Sequence, residues 1–146
     1  MTADEIDAFL TDRRTCRVAS VGADGRPHVA PLWFVWDGAA LWLNSLTRSQ
    51  RWTDLARDPR VAVVVDDGEE FLELRGVELG GRVERVGEVP RADADVPALE
   101  PVERAFAAKY APGAPFVPDG RHAWLRLDPD KLVSWDFQKL RAAPAR

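Results

Sequence analysis

Seven consecutive residues near the middle of the chain carry a high density of groups that could bind an anion. Segment 45–51 holds three hydroxyls, one amide and two guanidinium groups, and helical spacing begins just after it. A helix start offers free backbone N–H groups, and arginine can donate two parallel hydrogen bonds to a phosphate. The candidate ligands are Ser45, Thr47, Arg48, Ser49, Gln50 and Arg51. A phosphate or polycarboxylate site and a capped, solvated helix start explain this pattern equally well.

A second candidate is the extended run over residues 26–36, which contains two prolines. Pro27 and Pro31 have no N–H group, so this strand cannot be fully paired along its length. A planar polar heterocycle could lie against the exposed backbone and stack on a tryptophan of the same run. Its contacts would be Pro31, Leu32 and Trp33. An ordinary strand at the edge of a barrel explains the prolines as well.

Other catalytic chemistry has little support in the sequence. His28 and His122 stand far apart and belong to no metal-binding motif, which predicts surface or interface residues and no metal site. The chain has no G-x-S-x-G motif, P-loop or G-x-G-x-x-G motif. Cys16 is the only cysteine, so no intrachain disulfide can form, and we interpret it as a small buried hydrophobe.

The composition is typical of one globular domain. Of 146 residues, 46% are hydrophobic and 30% are charged, which is enough for a core and argues against disorder. The net charge is −4 without a basic stripe, so we expect no nucleic acid partner. An acidic N-terminus and the absence of long apolar runs predict a cytoplasmic protein without a membrane partner. We expect a single domain over residues 1–141 and a flexible tail over 142–146.

The elements that must position these residues are mostly strands. Period-two alternation and turn glycines predict strands at 16–21, 26–36, 40–44, 60–66, 70–88, 122–127 and 131–137. Helical spacing predicts short helices at 2–11, within 45–57 and at 99–110. Gly80-Gly81 indicates a bulge or a sharp bend. This order predicts a mainly β (α+β) fold, a closed β-barrel decorated by short helices.

Five segments also match a known family in order. They are GRPHVAPLWFVWDG at 25–38, RSQRWTDL at 48–55, DPRV at 58–61, RGVELGGRV at 75–83 and VSWDF at 133–137. The chain thereby resembles the pyridoxamine-5'-phosphate-oxidase-like split β-barrel proteins. Within them it looks most like the actinobacterial flavin/deazaflavin oxidoreductases, often called F420-dependent PPOX-class enzymes. The resemblance covers nearly the whole chain.

This resemblance implies a six-stranded split β-barrel that works as a homodimer, with its cofactor in a groove at the subunit interface. Arg51 stands where the family usually has a phosphate-binding Lys or Arg, with segment 47–50 around it. The cofactor ring would lie along Pro31, Leu32 and Trp33, which favours the anion site over the plain helix start. The family mostly lacks a protein nucleophile, so we assign no catalytic side chain.

The implied function is an oxidoreductase that transfers hydride between reduced F420 and a small unsaturated or quinone-like molecule. FMN is an alternative cofactor, because Trp33 and Gln50 narrow the site and the net negative charge disfavours a long polyanionic tail. A non-catalytic protein that binds or sequesters the cofactor is a further alternative. A structural dimer whose Trp-rich groove binds an apolar ligand is a fourth, although such a groove would not need the hydroxyl and arginine cluster.

Overall fold

The computed structural model describes residues 1–142, and the rest of the predicted tail, 143–146, lies outside the described residues. The strands are β1 (Thr15–Val21), β2 (Pro27–Trp36), β3 (Leu41–Leu46), β4 (Arg60–Asp67), β5 (Arg75–Val86), β6 (His122–Leu127) and β7 (Lys131–Asp136). The α-helices are α1 (Ala3–Asp12), α2 (Gln50–Arg57) and α3 (Glu100–Tyr110). Three 3-10 turns occupy Phe71–Glu73, Pro97–Leu99 and Phe137–Ala142. Within this described part, no helix has the length and apolar character needed to cross a membrane.

Six strands close an antiparallel barrel, which confirms the predicted mainly β (α+β) split-barrel fold. The order around it is β4-β1-β2-β3-β6-β5, and β5 pairs back to β4. Strands β6 and β7 pair with successive parts of one edge of β5. Val83 pairs with Leu127 of β6, and Gly80 pairs with Lys131 of β7. The partner of β5 therefore changes at Gly80-Gly81, where the sequence predicted a bulge or bend.

Alternation of side chains fills the barrel interior with aliphatic and aromatic residues. Every second residue of β1 and β4 is buried, as the period of a half-buried strand requires. The largest fully buried side chains of this interior are Val18, Phe34, Leu41, Leu43, Val63, Val65, Val77, Leu79 and Leu127. Helix α2 adds Trp52 and Leu55 to the same core, so its first turn is held against the barrel.

The barrel is split between β2 and β3. Their pairing joins only Phe34–Trp36 to Leu41–Leu43. Residues 27–33 of β2 pair with β1 alone, and residues 44–46 of β3 pair with β6 alone. Pro31, inside the unpaired part, has no N–H group to donate to a neighbouring strand. The result is a cleft with one lip on β2 and the other on β3.

Helix α3 covers the outside of the barrel beside this cleft. It packs over a second apolar cluster that includes Trp42, Val102 and Trp124. The buried guanidinium of Arg91 donates through Nε and Nη2 to the carboxylate of Glu103, both at 2.9 Å. Glu103 and then Glu88 raise the pKa of Arg91, so its charge is fully compensated. This paired cation fixes α3 to the loop that follows β5.

Gly76 of β5 is a site where a side chain has no room. An added Cβ would stand 2.4 Å from Cζ2 of Trp135 and 3.0 Å from the carbonyl oxygen of Val65. We expect Gly76→Ala to lower the free energy of unfolding by about 1–3 kcal/mol, as overpacking does, measured by urea denaturation. Gly80→Ala is the matched control on the same strand, because its Cβ would meet the Cβ of Lys131 at 3.6 Å. Equal losses in the two variants would contradict this explanation.

Candidate functional site

Arg51 is a buried cation without an anionic partner. Its side chain lies at the start of α2 with 6% of the residue exposed, and its Nε donates to the hydroxyl of Ser45 at 3.2 Å. Among residues 1–142, no other hydrogen bond and no ion pair reach this guanidinium. Burial lowers the pKa of Arg51 from its ordinary value, but an arginine remains charged. The two terminal nitrogens of Arg51 have no partner among residues 1–142 and are not fully buried, so the geometry leaves them open to an incoming anion.

The neighbours of Arg51 in the sequence serve α2 itself. The hydroxyl of Ser49 accepts a hydrogen bond from the N–H of Trp52 at 3.1 Å, which caps the helix. The Gln50 amide donates to Asp54 at 2.7 Å and is thereby turned along the helix. The capped helix start is therefore present, and the structure shows it together with the unpaired arginine. Gln50, a predicted ligand, has its amide nitrogen occupied by Asp54.

A cavity of about 330 Å³ lies at the end of β3. It is lined by Leu46, Thr47, Arg48, Ser49, Gly120 and Arg121. The N–H and the hydroxyl of Thr47 both donate to the carbonyl oxygen of Arg121, at 3.0 and 3.2 Å. Arg48 is exposed, and the side chain of Arg121 is exposed as well. Two guanidinium groups, those of Arg48 and Arg121, therefore border this cavity, which we call the anion cavity. Of the two, only Arg48 was predicted from the sequence as a site residue.

The residues predicted to contact a ring lie on the β2 lip of the cleft. Pro31 is exposed, Leu32 is half-buried and Trp33 is 48% exposed. The indole of Trp33 stacks on Tyr110 of α3, with ring centroids 4.3 Å apart and planes 8° apart. The Tyr110 hydroxyl accepts from the N–H of Phe34 at 3.1 Å. Trp33 is thus held by α3 on one side and still presents nearly half of its surface.

A larger cavity of about 510 Å³ opens between this lip and α3. It is lined by Leu32, Trp33, Asn44, Arg91, Phe106, Ala107, Ala111, Pro115, Phe116, Val117, Pro118, Asp119 and His122. Two of the three predicted ring contacts, Leu32 and Trp33, therefore share one cavity with residues that the sequence analysis did not select. Pro31 and segment 45–51 are not among its lining residues, and Ser45, Gln50 and Arg51 do not line the anion cavity either.

His122 and Asp119 form a hydrogen-bonded pair in the larger cavity. Nδ1 of His122 lies 2.6 Å from Oδ2 of Asp119. Oδ1 of Asp119 accepts the backbone N–H groups of Arg121 at 2.9 Å and His122 at 3.0 Å. Burial opposes ionisation of Asp119, but these donors outweigh it and hold the pKa of Asp119 below its ordinary value. His122, predicted to lie at the surface or at an interface, has a side chain that is 28% exposed and lines the larger cavity.

The segment 119–122 joins the two cavities. Asp119 and His122 line the larger cavity, whereas Gly120 and Arg121 line the anion cavity. The arrangement can therefore hold an elongated ligand with an anionic end beside Arg48 and Arg121 and a planar end beside Trp33. Sequence reasoning missed Asn44, Tyr110, Asp119 and Arg121, because each reaches the site through the pairing of distant elements. The available signal was local: Asp119 stands three residues before His122, a spacing at which a carboxylate accepts backbone N–H groups.

Two remaining polar candidates face the barrel interior. Cys16 is fully buried, and burial raises the pKa of its thiol to about 12, so it packs as the predicted small hydrophobe. His28 is half-buried on the inner side of β2, with its Nδ1 buried and without a hydrogen-bond partner in the described chain. The register of β2 turns His28 inward with Phe34, so it is not an outward-facing surface residue, and the interface position predicted as the alternative stays a prediction.

Comparison with known proteins identifies the relatives of this fold. The family model described as pyridoxamine 5'-phosphate oxidase matches residues 2–136. No curated protein sequence matches the chain. The crystal structure of the conserved hypothetical protein Rv2991 from Mycobacterium tuberculosis is 31% identical, with a TM-score of 0.80, over 100% of this chain and 91% of that chain.

Two further structures share the fold at lower identity. An F420 reductase is 24% identical with a TM-score of 0.64, over 87% of this chain and 94% of that chain. A pyridoxamine 5'-phosphate oxidase-related, FMN-binding protein from Nostoc punctiforme PCC 73102 is 17% identical with a TM-score of 0.65, over 92% of this chain and 83% of that chain. Because the family model spans most of the chain, this protein belongs to the pyridoxamine 5'-phosphate oxidase family.

Proposed function

We propose that this protein binds a phosphorylated flavin-type cofactor and acts as an F420-dependent oxidoreductase. Its reaction would transfer hydride between reduced F420 and a small unsaturated or quinone-like molecule. The observation that carries the proposal is the buried guanidinium of Arg51, which has no anionic partner among the described residues. The similarity to an F420 reductase and to an FMN-binding protein supports the same class of cofactor.

In this proposal the two cavities joined by segment 119–122 bind different parts of the cofactor. Thr47, Arg48 and Arg121 line the anion cavity, and Arg51 lies at the start of the helix that follows Ser49. These residues would hold the anionic part, and Leu32 and Trp33 would contact the ring. The bound cofactor would supply two-electron hydride chemistry, which no side chain of the protein provides. The protein's own contribution is to hold the ring in the cleft and to limit the access of water to it.

The two arginines at the anion cavity support F420 over FMN as the cofactor. Although the net charge of −4 on the whole chain disfavours a long polyanionic tail, these arginines offset it locally. Arg48 and Arg121 oppose that charge at the mouth of the cavity, where such a tail would leave it. FMN is the second candidate, since its single phosphate needs only the buried arginine. A protein that binds either cofactor without turnover would use the same residues.

The proposal includes a homodimer with the cofactor at the subunit interface. The outer face of β2 presents a row of apolar residues, of which Val29 is 65% exposed and Trp33 is 48% exposed. Pro31 lies between them on the same face and is exposed too. A contiguous apolar face of this kind is typical of protein interaction sites. A second copy packed there would cover the β2 lip of the cleft and complete the groove.

Arg51→Met tests the assignment of the anion site. We expect its affinity for F420 or FMN to fall by roughly 1.5–3 kcal/mol, because a charge-assisted hydrogen bond is lost. The free energy of unfolding should not fall by more than about 0.5 kcal/mol, since the wild-type protein already buries an unpaired charge. Binding is measured by titration of F420, FMN, FAD and haem, and stability by urea denaturation.

The control for this titration is Arg82→Met, which removes an exposed arginine on β5. It changes the net charge by the same amount and should leave cofactor affinity within about threefold of wild type. Unchanged affinity in Arg51→Met would remove the anion site from the proposal. Binding of F420 with no turnover of any acceptor would instead support the non-catalytic alternative.

Val29→Asp tests the proposed dimer. A carboxylate in the centre of the apolar β2 face should convert the dimer to a monomer, because burial of an unpaired charge is unfavourable. The measurement is sedimentation equilibrium, with cofactor affinity followed in parallel and expected to weaken. Leu140→Asp is the control, as Leu140 is 55% exposed in the C-terminal 3-10 turn. A dimer that persists in Val29→Asp, or a monomeric wild type, would refute this interface.

A further inference from the structure

We propose that Asn44 recognises the ring bound in the larger cavity by a lactam or imide edge, in which a carbonyl group stands next to an N–H group. This inference deepens the proposed function and rests on it, because it assigns the residue that binds the polar edge of the cofactor ring. The ligand class is a planar heterocycle with an unsubstituted –CO–NH– edge, which flavins and deazaflavins share. Asn44 thereby joins Leu32 and Trp33 as a ring contact.

Asn44 lies at the open edge of β3. Residues 44–46 pair with β6 alone, so no strand covers the edge of β3 that faces β2 at this point. The side chain of Asn44 lies outside the barrel, on the same face as that of Trp42 two residues before it. It lines the larger cavity together with Leu32 and Trp33 of the opposite lip. A side-chain amide is therefore present in the wall that faces the proposed ring contacts.

The amide of Asn44 lacks a hydrogen-bond donor. Its Oδ1 atom is buried and has no partner among residues 1–142. Burial of an acceptor without a donor is unfavourable, and buried polar groups of folded proteins are nearly always bonded. An N–H group of a ligand would supply the donor that Oδ1 lacks.

The N–H groups that flank Asn44 are already in use. Trp42 donates through Nε1 to a carboxylate oxygen of Asp37 at 2.8 Å. Trp124, the partner of Asn44 on β6, donates through Nε1 to Glu103 at 3.1 Å. Turning either indole toward Asn44 would break a hydrogen bond to a charged group, which is stronger than one to a neutral amide. The neighbouring side chains therefore leave the amide free for a ligand.

The chemistry of an amide determines which ligand edge it fits. An amide offers an acceptor beside a donor, and its complement is an N–H group beside a carbonyl group. The match holds in both orientations of the Asn44 amide, because a half-turn about its last torsion exchanges the oxygen and the nitrogen. Asparagine binds the edge of adenine in DNA by two such parallel hydrogen bonds. The charges of Arg91 and Asp119 in the cavity wall are already paired within the chain, so an uncharged polar edge fits best.

Aromatic side chains of the same cavity suit the faces of a planar ring. Trp33, Phe106 and Phe116 line it, and the ring centroids of Trp33 and Phe106 are 6.2 Å apart. Phe106 meets Phe116 edge to face at 5.8 Å and 83°. Aromatic rings bind planar ligands by offset stacking and edge contacts. These side chains offer no hydrogen-bonding group, which leaves the polar edge of the ring to Asn44.

The first test uses the full chain without cofactor and lumiflavin, an uncharged flavin ring without a phosphate, as the probe. Asn44 is the only asparagine beside two glutamines, so its side-chain NH₂ signals can be assigned by nitrogen-15 NMR with an Asn44→Leu variant. Lumiflavin should shift the Asn44 signals and leave those of Gln138, which is exposed outside both cavities, unchanged. Unshifted Asn44 signals would overturn the inference, even where FMN or F420 binds.

The second test compares the affinities for FMN and 3-methyl-FMN, in which a methyl group replaces the N–H of the imide edge. The wild type should bind FMN about tenfold or more tightly than the methylated ligand, because a site that bonds an N–H rejects an analogue without it. In Asn44→Leu the two Kd values should agree within about threefold, since the group that distinguishes them is gone. The matched control Gln138→Leu removes an exposed amide elsewhere and should keep the wild-type ratio.

Two results of this comparison would refute the role of Asn44. One is equal affinity of the wild type for the two ligands, a result that depends on no variant. The other is a wild-type ratio that persists in Asn44→Leu, which would assign the discrimination to another group.

Failure of this inference and failure of the proposed function are distinguishable. Lumiflavin has no anionic group, so its contact with Asn44 does not require Arg51. Shifted Asn44 signals together with unchanged FMN affinity in Arg51→Met would support the ring contact and count against the anion site. Unshifted Asn44 signals together with weakened FMN binding in Arg51→Met would overturn the ring contact and leave the proposed function standing.

Discussion

The interruption of pairing between β2 and β3 is the constraint on which the rest of this structure depends. A fully paired barrel of this size would be filled by its own side chains and would offer no cleft. Pairing between β2 and β3 stops after Phe34 and Leu43. On the other side of β2, where β1 begins at Thr15, the Tyr110 hydroxyl of α3 accepts from the N–H of Phe34 at 3.1 Å and lies 2.7 Å from the carbonyl oxygen of Arg14. The helix that joins the ends of β1 and β2 in this way also forms one wall of the larger cavity.

Two buried arginines of this chain differ in whether a carboxylate neutralises their charge. Arg91 is 8% exposed and is compensated by the carboxylates of Glu103 and Glu88. Arg51 is 6% exposed, and among residues 1–142 its guanidinium bonds only to the hydroxyl of Ser45. Removing one partner of a compensated pair leaves the other charge buried, so such a pair serves the fold. An uncompensated cation contributes no such pair to the fold, and this difference between the two arginines is why the proposed anion site is placed at Arg51.

The parts of this protein that the sequence could predict are those encoded by local patterns. Alternation located the strands, and the capping box of Thr2 and Glu5 located α1. The hydroxyls and arginines of segment 45–51 indicated an anion site from the sequence, and that assignment stays a prediction. The partners of that segment could not be predicted, because Arg121 is more than seventy residues away and reaches Thr47 only through the β3–β6 register. Gln50 shows the opposite problem. Its amide was predicted to bind the ligand, but in the structure it donates a hydrogen bond to Asp54 of the same helix.

The register of β6 also links the two cavities to each other. The carbonyl oxygen of Arg121 accepts two hydrogen bonds from Thr47, and the N–H of Arg121 is held by Asp119. Asp119 in turn orients His122. The segment proposed to bind the anion is therefore joined to the loop that carries His122 by hydrogen bonds that are already present in the folded chain. Because this connection runs through only Thr47, Arg121 and Asp119, the two cavities share one short stretch of backbone.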